Sequence, residues 1–321
     1  MAYRGRHRDP DVIKLEEAAG GLVDARSLVV NQARRLNEKY RLFEDGGVTR
    51  LQRLICMAGL VGIQVSKANL SQGEHDDREA VIMMNGSDSG ARGQILYDPN
   101  RSSGRILFSI AHEISHTFFP NSVGGARFRE MTDDSSSETN ELERLCDAAA
   151  AELVMPLEEF QEATPSWSIA AVPELAIKFG TSYEATLYRL ASAHPAVAAA
   201  GLARFRRTKA DTAKWIAAQN STQDWLFGKP DILPLTVAEP KYRRQSFHTS
   251  EDFPKGAIVR WNKSFDETSA IYRASEAMAT GREELPSSTK HKGVMEAIHA
   301  PYQRPDADPS APDVLFYWSA A

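Results

Sequence analysis

The 321-residue chain has two cysteines, Cys56 and Cys146, and no Cys-x-x-Cys pair. Two are too few for a disulfide framework, and a reducing cytoplasm is the expected setting. Long apolar runs are missing too. Nowhere do about eighteen uncharged apolar residues stand together, and no apolar stretch follows the basic start MAYRGRHRDPD, so neither a membrane span nor a secretion signal is expected. Positive charge is not in excess: 38 Lys and Arg face 43 Asp and Glu, for a net charge of -5. A general attraction to phosphate backbones is therefore absent, and nucleic acid stays an open partner only through local basic patches. No internal repeat is seen.

What is present suits a folded protein, since hydrophobic residues make up 42% and charged residues 25%. The length predicts two domains, one over 1–200 and a mixed α/β domain over 201–321 that is a candidate regulatory or sensory module. Apolar spacing predicts helices over 24–42 and 48–60, with Gly62 as a stop. Strands are expected at Ile63–Leu70, Ala80–Asn85 and Gly93–Asp98. The polar segment 121–140 reads as a long loop, and a helix over 141–154 ends at Met155-Pro156. Residues 172–190 give helix, Gly180-Thr181 turn, helix, within a helix-turn-helix-like segment spanning 165–195. Lys178, Arg189, Arg204, Arg206, Arg207 and Lys209 are its candidate DNA contacts, although core packing accounts for the same pattern. Further on, strands are expected at 257–261, 270–272 and 314–318, and a loop at 280–292.

The chemistry concentrates in GRILFSIAHEISHTFF. Ile106, Ile110, Ile114 and Phe118 repeat every four residues and should form a buried stripe. His112 and His116 are then about 40° apart and one turn apart, so both imidazoles can address one ion. Glu113 lies within reach of water at that ion. A catalytic zinc takes three protein ligands and keeps one position open. Glu143 on the following helix can complete the set, with Asp147 four residues later able to accept the free N–H of a ligating histidine. Cys146 should neighbour this face, as a small buried filler or as a redox-sensitive group.

The stretches RILFSIAHEISH and ELERLCDAAAAELVMP together resemble the ImmA/IrrE group of metallopeptidases, over about residues 50 to 195. The resemblance implies an α+β fold: a zincin-like, gluzincin-type metallopeptidase domain, a helix-turn-helix-like extension and a smaller mixed α/β C-terminal domain. It implies His112, His116 and Glu143 as ligands of one Zn2+, with Mn2+ as the alternative ion, Glu113 as catalytic base and Asp147 in support. It further implies site-specific cleavage of a helix-turn-helix transcriptional repressor, in stress response or mobile-element regulation. A non-catalytic DNA- or repressor-binding regulator and a broad housekeeping peptidase are the alternatives. One departure from the group's pattern is Ser115, where glycine is usual. The strand at Gly93–Asp98, immediately before the active helix, is the expected sheet edge for an extended substrate.

Overall fold

The structure, a computed structural model, describes residues 9–41, 47–70, 80–84, 92–120, 125–128, 139–164, 166–225, 238–250, 253, 263–277, 280–285, 293–300 and 311–320. Within these, the chain divides into two compact units, 1–164 with 174–182, and 165–173 with 183–321.

The first unit opens with helices α1 (Pro10–Ala18), α2 (Ala25–Arg41) and α3 (Arg50–Leu60). Thr49 and Gln52 form a capping box at the start of α3, satisfying backbone N–H groups that the first helical turn leaves open. The strands β1 (Ile63–Lys67), β2 (Ala80–Met84) and β3 (Gly93–Tyr97) lie where periodicity places them, followed by α4 (Ser103–His116). Next come β4 (Gly125–Phe128), α5 (Thr139–Val154) and α6 (Leu157–Ala163). The sheet order is β1-β3-β2-β4; β3 is parallel to β1 and antiparallel to β2, and β2 is antiparallel to β4.

Two expectations change here. The strand before the active helix is interior, because its backbone pairs with β1 on one side and β2 on the other. An edge strand is instead β4, inside the segment whose polar composition reads as loop. Four residues bounded by polar sequence carry too little periodicity to announce a strand, and only pairing with β2 defines it.

Helix α4 packs on β2 and β3, and α5 packs on α4 and α2. The apolar stripe is buried as its spacing predicts, with Ile110 and Ile114 fully enclosed and Ile106 and Phe118 nearly so. Covered by the sheet and by α5, α4 also buries His112, Glu113, Ser115 and His116. Polar groups so placed must find partners or be put to chemical use. Ser115 does the former: its hydroxyl donates to the Ala111 carbonyl at 2.8 Å, so the side chain in place of glycine fits without displacing a candidate ligand. Around α6, Glu159 gathers Arg53 at 2.9 Å, Arg50 at 3.3 Å and Arg41 at 3.6 Å.

After a short 3-10 turn (Ile169–Ala171) come α7 (Val172–Phe179) and α8 (Tyr183–Ala193). The turn between them uses Gly180 with φ of 66°, a left-handed backbone that L side chains rarely adopt. The helix, turn and helix are present, but the chain passes from the first unit to the second between 182 and 183. The division therefore falls ahead of the 200/201 boundary expected from composition. The reason is packing: α8 lies on the first strand of the second sheet.

That sheet comprises β5 (Ala198–Arg206), β6 (Lys241–Thr249), β7 (Gly281–Leu285), β8 (Gly293–His299) and β9 (Val314–Ala320), with α9 (Lys209–Trp225) and α10 (Ala270–Ala277) between strands. It is antiparallel in the order β6-β5-β9-β8-β7. A core of Tyr242, Phe265, Ile271, Ala274, Phe316 and Trp318 joins α10 to the sheet. The strand expected at 314–318 is β9. The strand expected at 270–272 is the first turn of α10, since Ala270, Ile271 and Ala274 bury one helical face. The expected loop 280–292 contains β7, and the strand expected at 257–261 lies outside the described residues.

The arginines after α8 are engaged within the second unit. Arg204 grips Asp313 through two nitrogens at 3.3 Å, Arg206 donates to the Arg244 carbonyl at 3.2 Å and Arg207 to that of Ala238 at 3.2 Å. Arg189 is buried, whereas Lys178 is exposed. No described helix is long and apolar enough to cross a membrane.

Candidate metal centre

The two histidines of α4 and the acidic turn of α5 meet inside the first unit. His112 Nε2 is 3.0 Å from Glu143 Oε2, and His116 Nε2 is 3.7 Å from Glu143 Oε1. One carboxylate therefore addresses the same nitrogen on both rings, whose centroids are 5.0 Å apart. On the other side of His112, Nδ1 lies 2.9 Å from Asp147 Oδ1. Helical spacing explains the arrangement: residues four apart share a face, on α4 for 112 and 116 and on α5 for 143 and 147.

The donor set fits a divalent transition ion. Zinc takes imidazole nitrogen at about 2.0–2.1 Å and carboxylate oxygen at about 2.0–2.2 Å, so tetrahedral geometry separates neighbouring donors by roughly 3.3 Å. The nitrogen-to-oxygen separations, 3.0 Å to Oε2 for His112 and 3.7 Å to Oε1 for His116, are of that order, each histidine facing its own oxygen of the Glu143 carboxylate. Electrostatics agree. Glu113, Glu143 and Asp147 surround His112 with negative charge. Burial by itself would drive His112 toward neutrality. The hydrogen bonds with Asp147 and Glu143, together with the Glu113 charge, overcome it and push the imidazole up to about 9. Burial would likewise raise Glu143, but the His112 hydrogen bond and the charge of His116 hold its carboxyl below the usual range. Such a site prefers cations.

All five residues expected from sequence thus come together: His112, Glu113, His116, Glu143 and Asp147. The histidines and Glu113 are buried, while the side chains of Glu143 and Asp147 remain 32% and 44% exposed, so the site is reached from the α5 side. Cys146 is the residue that sequence reasoning undervalued. It is fully buried, as a filler should be, yet its sulfur lies 3.5 Å from His116 Nδ1. One donor atom each from His112, His116 and Cys146 lie within 4.8 Å of one another. The helical offset of three from Glu143 places Cys146 near the site, but which ring it touches depends on how α4 and α5 cross. Of the remaining histidines, His194, His248 and His299 belong to the second unit, and His7, His75 and His291 fall outside the described residues.

An enclosed HExxH helix facing acidic residues of the next helix defines a metallopeptidase-like domain. Comparison agrees: residues 59–191 match the family model of the IrrE N-terminal-like domain, consistent with the ImmA/IrrE resemblance of the two motifs. The fold is accordingly α+β, with a zincin-like first unit. A solved structure of a Mycobacterium tuberculosis transcriptional regulator superposes with a TM-score of 0.50, covering 92% of this chain and 80% of its own. At 12% identity that likeness is one of fold. No curated protein matches the sequence.

Proposed function

We propose that the chain is a zinc-dependent endopeptidase that cuts a helix-turn-helix transcriptional repressor at a specific site. The observation that carries the catalytic part is the Glu143 carboxylate set between the Nε2 atoms of His112 and His116. In this reading His112, His116 and Glu143 hold the ion, and Asp147 fixes the His112 ring through Nδ1. Zinc, when bound, supplies Lewis acidity and makes water nucleophilic near neutral pH. Glu113 removes a proton from the attacking water and returns it to the leaving amine. Its burial on α4, one residue from His112, keeps that carboxylate short of bulk solvent.

The choice of a protein substrate is supported by β4. As a terminal strand of the described sheet it can pair with an extended segment, a role that the interior β3 cannot take. The choice of a repressor rests on kinship with the ImmA/IrrE group. Incubating the metal-loaded chain with helix-turn-helix repressors from its own genome, and with casein, tests both points. One repressor should be cut at a single bond while casein stays whole, and Glu113→Gln should retain metal and cut neither. Cleavage by Glu113→Gln at the wild-type rate removes Glu113 from the chemistry. Broad degradation of casein makes the protein a housekeeping peptidase. Repressor binding without cleavage makes it a non-catalytic regulator.

A further inference from the structure

The two ring nitrogens of His116 have different neighbours. Nε2 faces Glu143 Oε1 at 3.7 Å, and Nδ1 lies 3.5 Å from the sulfur of Cys146. These nitrogens point in diverging directions, so the sulfur stands behind the ring as seen from Glu143. His112 repeats the plan, with Glu143 at Nε2 and Asp147 at Nδ1. Three residues of α5, at 143, 146 and 147, thus address both faces of the pair.

A neutral imidazole carries one N–H, and the nitrogen that lacks it offers a lone pair. An acceptor at Nδ1 therefore decides that Nε2 is the donor available to an ion. We infer that Cys146 is a positioning residue whose sulfur accepts the Nδ1–H of His116 and so keeps Nε2 open toward Glu143. This rests on the reading of His112, His116 and Glu143 as the residues that hold the metal. It separates Cys146 from a ligand role, although its proximity to both histidines permits one on distance alone. A sulfur engaged with Nδ1 would have to leave that nitrogen, and the ring would have to turn, before both could serve one ion. Complete burial suits the positioning role, because no water reaches the sulfur to compete for the contact. Sulfur is a weaker acceptor than carboxylate, so His116 is held less firmly than His112.

The test uses the full-length chain, first without metal. Long-range proton–nitrogen correlation on histidine-labelled protein should show His116 as the Nδ1–H tautomer in the wild type. Cys146→Ala should shift it toward Nε2–H, and Cys146→Ser, which restores a small acceptor, should return part of the signal. With metal, competition against a chromophoric chelator should show Zn2+ binding weakened about tenfold in Cys146→Ala and by less in Cys146→Ser. The Co2+-loaded wild type should lack thiolate-to-cobalt charge-transfer absorption.

An Nε2–H tautomer in the wild type overturns the inference, and so does an unchanged tautomer in a folded Cys146→Ala variant. A charge-transfer band in the wild type that Cys146→Ala abolishes makes the thiolate a ligand and overturns it as well. The wild-type tautomer and cobalt spectrum need no variant, so misfolding of Cys146→Ala leaves two decisive readouts. A wild type that binds neither Zn2+ nor Co2+ removes the metal reading, while the tautomer still decides whether the sulfur takes the Nδ1 proton.

Discussion

In the metal-free chain His112 holds its proton up to about pH 9, so an ion arriving at Nε2 near neutral pH must expel that proton. The sign follows directly. Protonated His112 competes with the ion, so binding is weakest at low pH and strengthens until His112 is neutral. Between pH 7 and about 9 the apparent affinity should climb roughly tenfold per pH unit, a total near a hundredfold or about 3 kcal/mol, and then level off. Calorimetric titration with Zn2+ at pH 7, in two buffers of different ionisation enthalpy, should count close to one proton released from the site. The carboxylates add little to that count, because Glu143 is already ionised at neutral pH. Asp147→Ala sharpens the experiment. It removes a 2.9 Å bond that supports the ring for proton and ion alike, so affinity should fall more at pH 9 than at pH 7. An affinity flat from pH 7 to 9, with no proton released, refutes the charge balance derived for the site. By the same linkage, His112 stabilises the metal-free fold fully below pH 6.5, and that contribution disappears as pH rises through about 9.

Three further outcomes are expected. Ile110→Ala, at a fully buried position of α4, should cost about 2–5 kcal/mol in denaturant unfolding and lower metal retention, because the same helix carries the histidines. Burial raises the Glu159 carboxyl, but Arg53, Arg50 and Arg41 lower it further, below its ordinary value of 4.5, so its ionised form stabilises the fold above that pH. The stability gap between wild type and Glu159→Gln should be present at pH 7 and shrink as pH falls below that value, in chemical denaturation at several pH values. Gly281→Ala should destabilise the second unit by about 1–3 kcal/mol or more, because a methyl there would lie 2.3 Å from the Ala270 carbonyl oxygen. A thermal scan that shows no loss would mean that α10 and β7 can separate at little cost.

Much of the first unit is legible from local pattern, since it depends on periods that a short window contains. Ile106, Ile110 and Ile114 fix α4, the spacing of 112 and 116 fixes a two-imidazole face, and the spacing of 143 and 147 fixes a two-carboxylate face. Those faces are properties of single helices. The order of the strands is not, and β3 became interior only because β2 and β1 claimed its two edges. The assignment of 270–272 failed for a related reason: three apolar residues fit strand or helix, and burial of one face of α10 in the core of the second unit decided between them.

By itself the sequence determined which side chains each helix would present, because a helical repeat converts spacing into direction without help from the rest of the chain. Only the tertiary structure decided what those side chains meet. The crossing of α4 and α5 sets the Glu143 carboxylate before both Nε2 atoms and brings Cys146 behind His116, 30 residues away in sequence. Contacts between separate elements depend on the angle and depth of their packing, and no periodicity within either element encodes these.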